Sequence, residues 1–119
     1  MIRILVCVGR AFKDRRLLDQ VLDQLLERFG GVEVTPYDES GEALLKQWCV
    51  KNNARLATHT FIPPFDVVAV FPGGSAMPLR QAWKNRVPAL RVFADGRWVR
   101  VGVGWGELLR RFPEQEASR

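Results

Sequence analysis

Two short glycine-bearing stretches hold the residues best suited to chemistry in this chain. Gly9-Arg10-Ala11-Phe12-Lys13-Asp14 follows an apolar run at 2–8, and Pro72-Gly73-Gly74-Ser75 follows another at 66–71. Both lie where a strand pattern gives way to a helix pattern. Glycine there lets the backbone approach a ligand closely, and the following helix offers unbonded N–H groups and partial positive charge to a phosphate or carboxylate. Arg10, Lys13 and Ser75 add donors for the same anion. The plainer reading of the same residues is a pair of tight strand-to-helix turns with Arg10 in solvent.

Other chemistry finds less support. Cys7 and Cys49 stand 42 residues apart and His59 is the one histidine, short of the four close ligands of a zinc site. The lone His59 also limits Ser-His and Cys-His catalysis, and its setting, Leu56-Ala57-Thr58-His59-Thr60-Phe61, suits an ordinary strand end. Cys7 lies in the first apolar run and Cys49 in a helical pattern, as expected of two reduced thiols in a cytoplasmic protein. There is no GxxxxGK[ST] loop. Gly102-Val103-Gly104-Trp105-Gly106 is GxGxG, too late in the chain to open a βαβ unit, and its glycines read as turn residues. Ser75 stands in Gly73-Gly74-Ser75-Ala76-Met77, which is not a GxSxG elbow. Neither loop holds paired carboxylates, Asp38 and Glu39 being the nearest acids, so no catalytic residue, cofactor or metal is implied.

The elements that must position the loops are legible in the periodicity. Residues 2–8 are apolar except for Arg3, the pattern of a strand covered on both faces. Asp14 can cap a helix in which Leu17, Leu18, Val21, Leu22, Leu25 and Leu26 repeat at helical spacing until Gly30-Gly31. Val32-Glu33-Val34-Thr35 alternates and reads as a short strand ended by Pro36. Asp38-Glu39-Ser40-Gly41 offers caps for a helix carrying Ala43, Leu44, Leu45, Trp48 and Cys49, with Asn52-Asn53 at its end. Residues 54–61 form a weaker strand closed by Ile62-Pro63-Pro64. Residues 66–71 form a fully apolar strand, and 77–84 an amphipathic helix with Pro78 in its first turn. A strand at 89–93 leads to a hairpin signal, Ala94-Asp95-Gly96-Arg97, so that 98–103 pairs back antiparallel before a last helix at 107–112. Strands alternating with helices predict an α/β fold, a three-layer sandwich on a mainly parallel sheet. A single domain over 1–112 and a polar tail at 113–119 complete the layout.

Size and charge set the frame. A chain of 119 residues, 47% hydrophobic, can bury one core without disulfide or metal staples. No apolar stretch approaches the roughly 20 residues of a membrane-spanning helix, and the first residues lack a cleavage pattern, so a soluble cytoplasmic protein without an export signal is expected. The formal charge of +5 is unevenly spread, with nine Lys and Arg against eight acids through Phe65 and nine against five from Asp66 onward. Arg80, Lys84, Arg86, Arg97, Arg100, Arg110 and Arg111, with Trp98 and Trp105 as stacking candidates, therefore point to a different class of function: a module binding single-stranded nucleic acid or a partner protein. A solvated basic face is the plainer alternative.

The segment Val8-Gly9-Arg10-Ala11-Phe12-Lys13-Asp14 and the leucine-rich helix after it resemble the G-R-x-F-x-D opening of the YspA-like proteins of the SLOG superfamily, a Rossmann-like group that includes the Lonely Guy proteins. Asp66-Val67-Val68-Ala69-Val70-Phe71-Pro72-Gly73-Gly74 resembles that family's strand and PGG turn, and the helix with Trp48 falls where the family has an amphipathic helix with an aromatic. The resemblance spans 2–93. It implies a Rossmann-like sheet of order 3-2-1-4-5, which sets the two loops side by side, and a nucleotide or nucleotide-derived ligand. Departures concern function. The family's glycine-rich turn after its second strand is replaced by Thr35-Pro36-Tyr37-Asp38-Glu39-Ser40-Gly41, which repels phosphate. The polar segment before the fourth strand is cut to Pro63-Pro64-Phe65. Lonely Guy phosphoribohydrolases carry PGGxGTxxE with a catalytic glutamate, where this chain has Ala76, Met77 and, at the glutamate position, Arg80.

The combined expectation is a non-catalytic SLOG-like domain, a sensor or sequestering protein, binding a nucleotide-like anion between the Gly9 and Gly73 loops. Gly9, Pro72, Gly73 and Gly74 would give close backbone approach, Arg10, Lys13 and Ser75 would hold phosphate or ribose oxygens, and Phe12 or Met77 would pack on a base. Nucleotide hydrolysis is the remaining alternative.

Overall fold

The computed structural model describes residues 1–57, 65–74 and 76–114. His59, Ser75, the prolines at 63 and 64 and the tail from 115 lie outside the described residues, as does the second half of the expected strand at 54–61. Among the described residues the strands are β1 (Ile2–Cys7), β2 (Val32–Pro36), β3 (Arg55–Leu56), β4 (Val67–Val70), β5 (Ala89–Val92) and β6 (Trp98–Val101). The helices are α1 (Arg15–Phe29), α2 (Glu42–Asn52), α3 (Met77–Lys84) and α4 (Trp105–Arg111), with a 3-10 turn at Glu39–Gly41. One sheet runs β3-β2-β1-β4-β5-β6. The first five are parallel and β6 returns antiparallel to β5. This is the expected α/β sandwich, with the hairpin strand extending the 3-2-1-4-5 order by one at its edge.

Alternation along β1 decides the two layers. Ile2, Ile4 and Val6 enter the larger core with α1, α2 and Leu108 of α4, whereas Cys7, Val68, Val70 and Ala89 face Ala82 of α3. Helix α1 forms because its leucines and Val21 line one face and both ends are stopped. The Asp14 carboxylate accepts from Leu17 N at 3.0 Å, and Gly30, at φ 75°, donates its N–H to Leu26 O. Trp48, fully buried on α2, donates its indole N–H to Asp23 of α1 at 2.9 Å, which fixes the two helices to each other.

Some boundaries differ from expectation. Helix α4 starts at Trp105, two residues early, because Gly104 adopts φ 93° and turns the chain into the helix. Strand β6 stops at Val101, since Gly102 at φ 83° leaves extended geometry. The start of the expected polar tail is tied down: Glu114 pairs with Arg28 at 3.3 Å and with Arg100. Among the described residues no helix is long and apolar enough to cross a membrane.

Candidate functional site

Strands β1 and β4 are parallel neighbours, with Cys7 beside Val70. The chain leaves β1 through α1 toward β2 on one side and leaves β4 through α3 toward β5 on the other. A crevice therefore opens beyond their carboxyl ends, the usual ligand position in such sheets. Both glycine-bearing loops lie there. Phe71 N donates to Cys7 O at 2.9 Å, and Gly74 N donates to Phe71 O at 3.1 Å to close the turn.

The expected site residues other than Ser75 can each be placed. Gly9 lies so close to Gly73 that its missing side chain is what allows the two loops to touch. Gly73 itself has φ +83° and open space where a Cβ would stand. Pro72 is half-buried beneath it. Phe12 packs edge-on against Phe71, ring centroids 5.7 Å apart, and its N–H bonds to Gly9 O, so its ring supports the loop from the core side. Arg10 and Lys13 are exposed and make no ion pair among the described residues. Met77 opens α3 and is about half exposed. Ser75 lies outside the described residues.

The two helix starts differ. At α1 the Asp14 carboxylate occupies the first-turn donor of Leu17 and adds negative charge. At α3 the residue before the helix, Ala76, makes no side-chain cap, and Pro78 in the first turn has no N–H to offer. On the β2 side, Tyr37 N bonds to Val6 O, Asp38 accepts from Ser40 N at 2.9 Å, and Gly41 sits within 2.7 Å, measured from an ideal Cβ, of Val8. Asp38 and Glu39 make that flank of the rim acidic. Burial pushes the Cys7 thiol well above its ordinary range, and the charge of Asp38 pushes it the same way.

Several basic residues of the second half are paired with acids. Arg97 is held by Asp95 at 2.7 Å, Arg111 by Asp66 at 2.8 Å, and Arg100 by Glu114 while lying 5.1 Å over the Trp105 ring. Arg80 and Lys84 are exposed on α3, and Arg86 just beyond it. The indole N–H groups of Trp98 and Trp105 are spent on Gln24 and on Val101 O. The tryptophan that sequence reasoning passed over, Trp83, is 64% exposed on α3. Its signal was its place one residue past Ala82, off the buried Pro78 and Ala82 line.

Two clefts lie away from the rim. One of about 210 Å³, at the amino ends of β4 and β5, is lined by Asp66, Arg86, Glu107 and Arg111. The other, an open groove of about 540 Å³ along α1, holds Arg15, Asp19 and Lys51. Among the described residues no group of three or more His, Cys, Asp or Glu could hold a metal ion. No family model, curated protein or solved structure matches the chain.

Proposed function

We propose that this chain is a non-catalytic SLOG-like binding domain, a sensor or sequestering protein, whose ligand is a nucleotide or nucleotide-derived anion at the carboxyl rim of β1 and β4. One observation carries the reading: at the point where the connections diverge, Gly73 leaves open space where a Cβ would stand, and the β1 loop that touches it carries two exposed cations, Arg10 and Lys13, that have no ion-pair partner among the described residues. Asp38 and Glu39 fit it as well. Carboxylates are acceptors only, so they repel phosphate but suit ribose hydroxyls, and they orient such a ligand with its anionic end away from β2. Binding without hydrolysis is favoured by Arg80, which stands where a Lonely Guy enzyme has its carboxylate.

The test is a thermal-shift and calorimetric screen against nucleoside phosphates, cyclic dinucleotides, ADP-ribose and short single-stranded DNA at low and moderate salt. One nucleotide class should raise the midpoint by mass action at both salts, and Arg10→Ala should weaken that binding at least tenfold. A response confined to DNA and lost as salt rises would instead favour a basic surface around Arg80, Lys84 and the exposed Trp83.

A further inference from the structure

Arg91 belongs to neither glycine loop, yet the sheet brings it to the same rim. On β5 it pairs in register with Val70, the last residue of β4 before the Phe71-Gly74 turn, and it shares the α3 face with Val70. Its guanidinium lies 5.7 Å from the ring centroid of Phe93. Phe93 is two residues onward, so it stands on the same face, and the contact directs the cation along β5 toward the carboxyl end that carries both loops. Arg97 reaches the same ring at 5.2 Å from across the hairpin, where Phe93 N bonds to Arg97 O at 2.8 Å. The two arginines differ in charge balance. Arg97 is matched by Asp95, whereas Arg91 makes no ion pair among the described residues.

The rim therefore has a direction. Acids stand beyond β2, free cations stand in the β1 loop, and a further free cation stands on β5, with the Gly73 turn between the last two. Neighbouring strands lie about 4.8 Å apart, so β1 and β5, on either side of β4, stand about 10 Å from each other. Long cationic side chains from both flanks can share an anion that extends across the turn. A second phosphate could not turn toward β2 without meeting Asp38 and Glu39. We propose that Arg91, held in direction by Phe93, is a second anion contact of the proposed site, and that the ligand class is a nucleotide with two linked phosphates. This rests on the proposed nucleotide site and adds to it the identity of the contact and the phosphate count.

The experiment is titration calorimetry of the full chain with ADP, AMP and inorganic pyrophosphate, on the wild type, Arg91→Gln, Arg91→Lys and Phe93→Leu. The wild type should prefer ADP to AMP at least tenfold. Arg91→Gln should abolish that preference while leaving AMP within about twofold, Arg91→Lys should keep part of it, and Phe93→Leu should fall between. Arg91 is exposed, so an unchanged thermal midpoint in Arg91→Gln separates lost binding from lost folding. An intact ADP preference in Arg91→Gln, or equal loss of ADP and AMP, overturns the assignment while the Arg10 site stands. Wild-type protein that binds none of the three overturns both.

Discussion

The carbonyl oxygen of Gly73 fills the place that a side chain on Gly9 would need: a Cβ there would meet that oxygen at 2.3 Å. The two glycines are thus constrained differently, Gly9 by space and Gly73 by its φ of +83°. Gly9→Ala should cost roughly 2–3 kcal/mol, because backbone rather than a flexible side chain must move. Gly73→Ala should cost about 1–2 kcal/mol through left-handed strain alone. Gly31→Ala, with nothing within 4 Å and no positive φ, should be neutral or stabilising by a few tenths. Urea denaturation of the three variants checks the ranking, and a Gly9→Ala protein as stable as Gly31→Ala would show that the loops can separate freely.

Arg86 closes α3 in a conformation usually given to glycine. Its φ is 58°, its N–H bonds to Trp83 O at 3.2 Å, and Val87 N reaches back to Ala82 O at 2.8 Å, which is the Schellman pattern. Arg86→Gly should therefore raise stability by roughly 0.5–1 kcal/mol, the relieved strain exceeding the added unfolded-state entropy. Thermal denaturation reads this directly. A loss of stability would mean that the guanidinium makes a contribution larger than the strain.

Both thiols give the protein an alkaline limit. Burial pushes Cys49 up to about 11, and burial with the charge of Asp38 raises Cys7 also. In an unfolded chain cysteine titrates near ~8.5. The folded state keeps protons that the unfolded state has shed, so the thiol contribution is complete below the unfolded value and is lost as pH rises through the folded one. The urea midpoint should fall from about pH 9 upward, and Cys49→Ala should flatten the part of that fall between about 9 and 11. An unaltered slope in Cys49→Ala would assign the fall to other groups.

The tryptophans should separate optically and energetically. Trp83→Phe should remove the emission most accessible to acrylamide and change stability by less than about 0.5 kcal/mol, as expected for an exposed side chain. Trp48→Phe should remove the most protected emission and cost about 1–3 kcal/mol, since it leaves a void and breaks the bond to Asp23. Equal quenching of both variants would contradict the burial of Trp48.

Elements whose pattern is local were readable from the chain. The leucines of α1, the cap at Asp14 and the apolar run of β4 announce themselves within a turn or a strand, and α3 was legible to the residue. The rim was legible only in outline. Adjacent loops at Gly9 and Gly73 were anticipated through the resemblance, but glycines expected to admit a ligand prove at Gly9 to admit the other loop. Phe12 is an aromatic beside a glycine turn in sequence, and only the packing of Phe71 gives its ring a partner. Arg91 carried no signal, because its place at the rim depends on β5 lying beside β4 and on a contact to Phe93. Trp98 and Trp105 drew attention as aromatics among arginines, while their N–H partners, Gln24 and Val101 O, come from elsewhere in the fold.

Asp66 joins parts of the chain that meet late. Its carboxylate accepts from Arg3 N at 2.9 Å and from the Arg111 guanidinium at 2.8 Å, and its own N–H bonds to Arg3 O. These links cross sequence separations of 63 and 45 residues, so closing them costs more chain entropy than forming the α1 turns. A contact of that kind is expected to form after the folding barrier rather than before it. Its removal in Asp66→Ala should leave the refolding rate nearly unchanged and appear as faster unfolding, so that this one carboxylate should set how long the native state lasts.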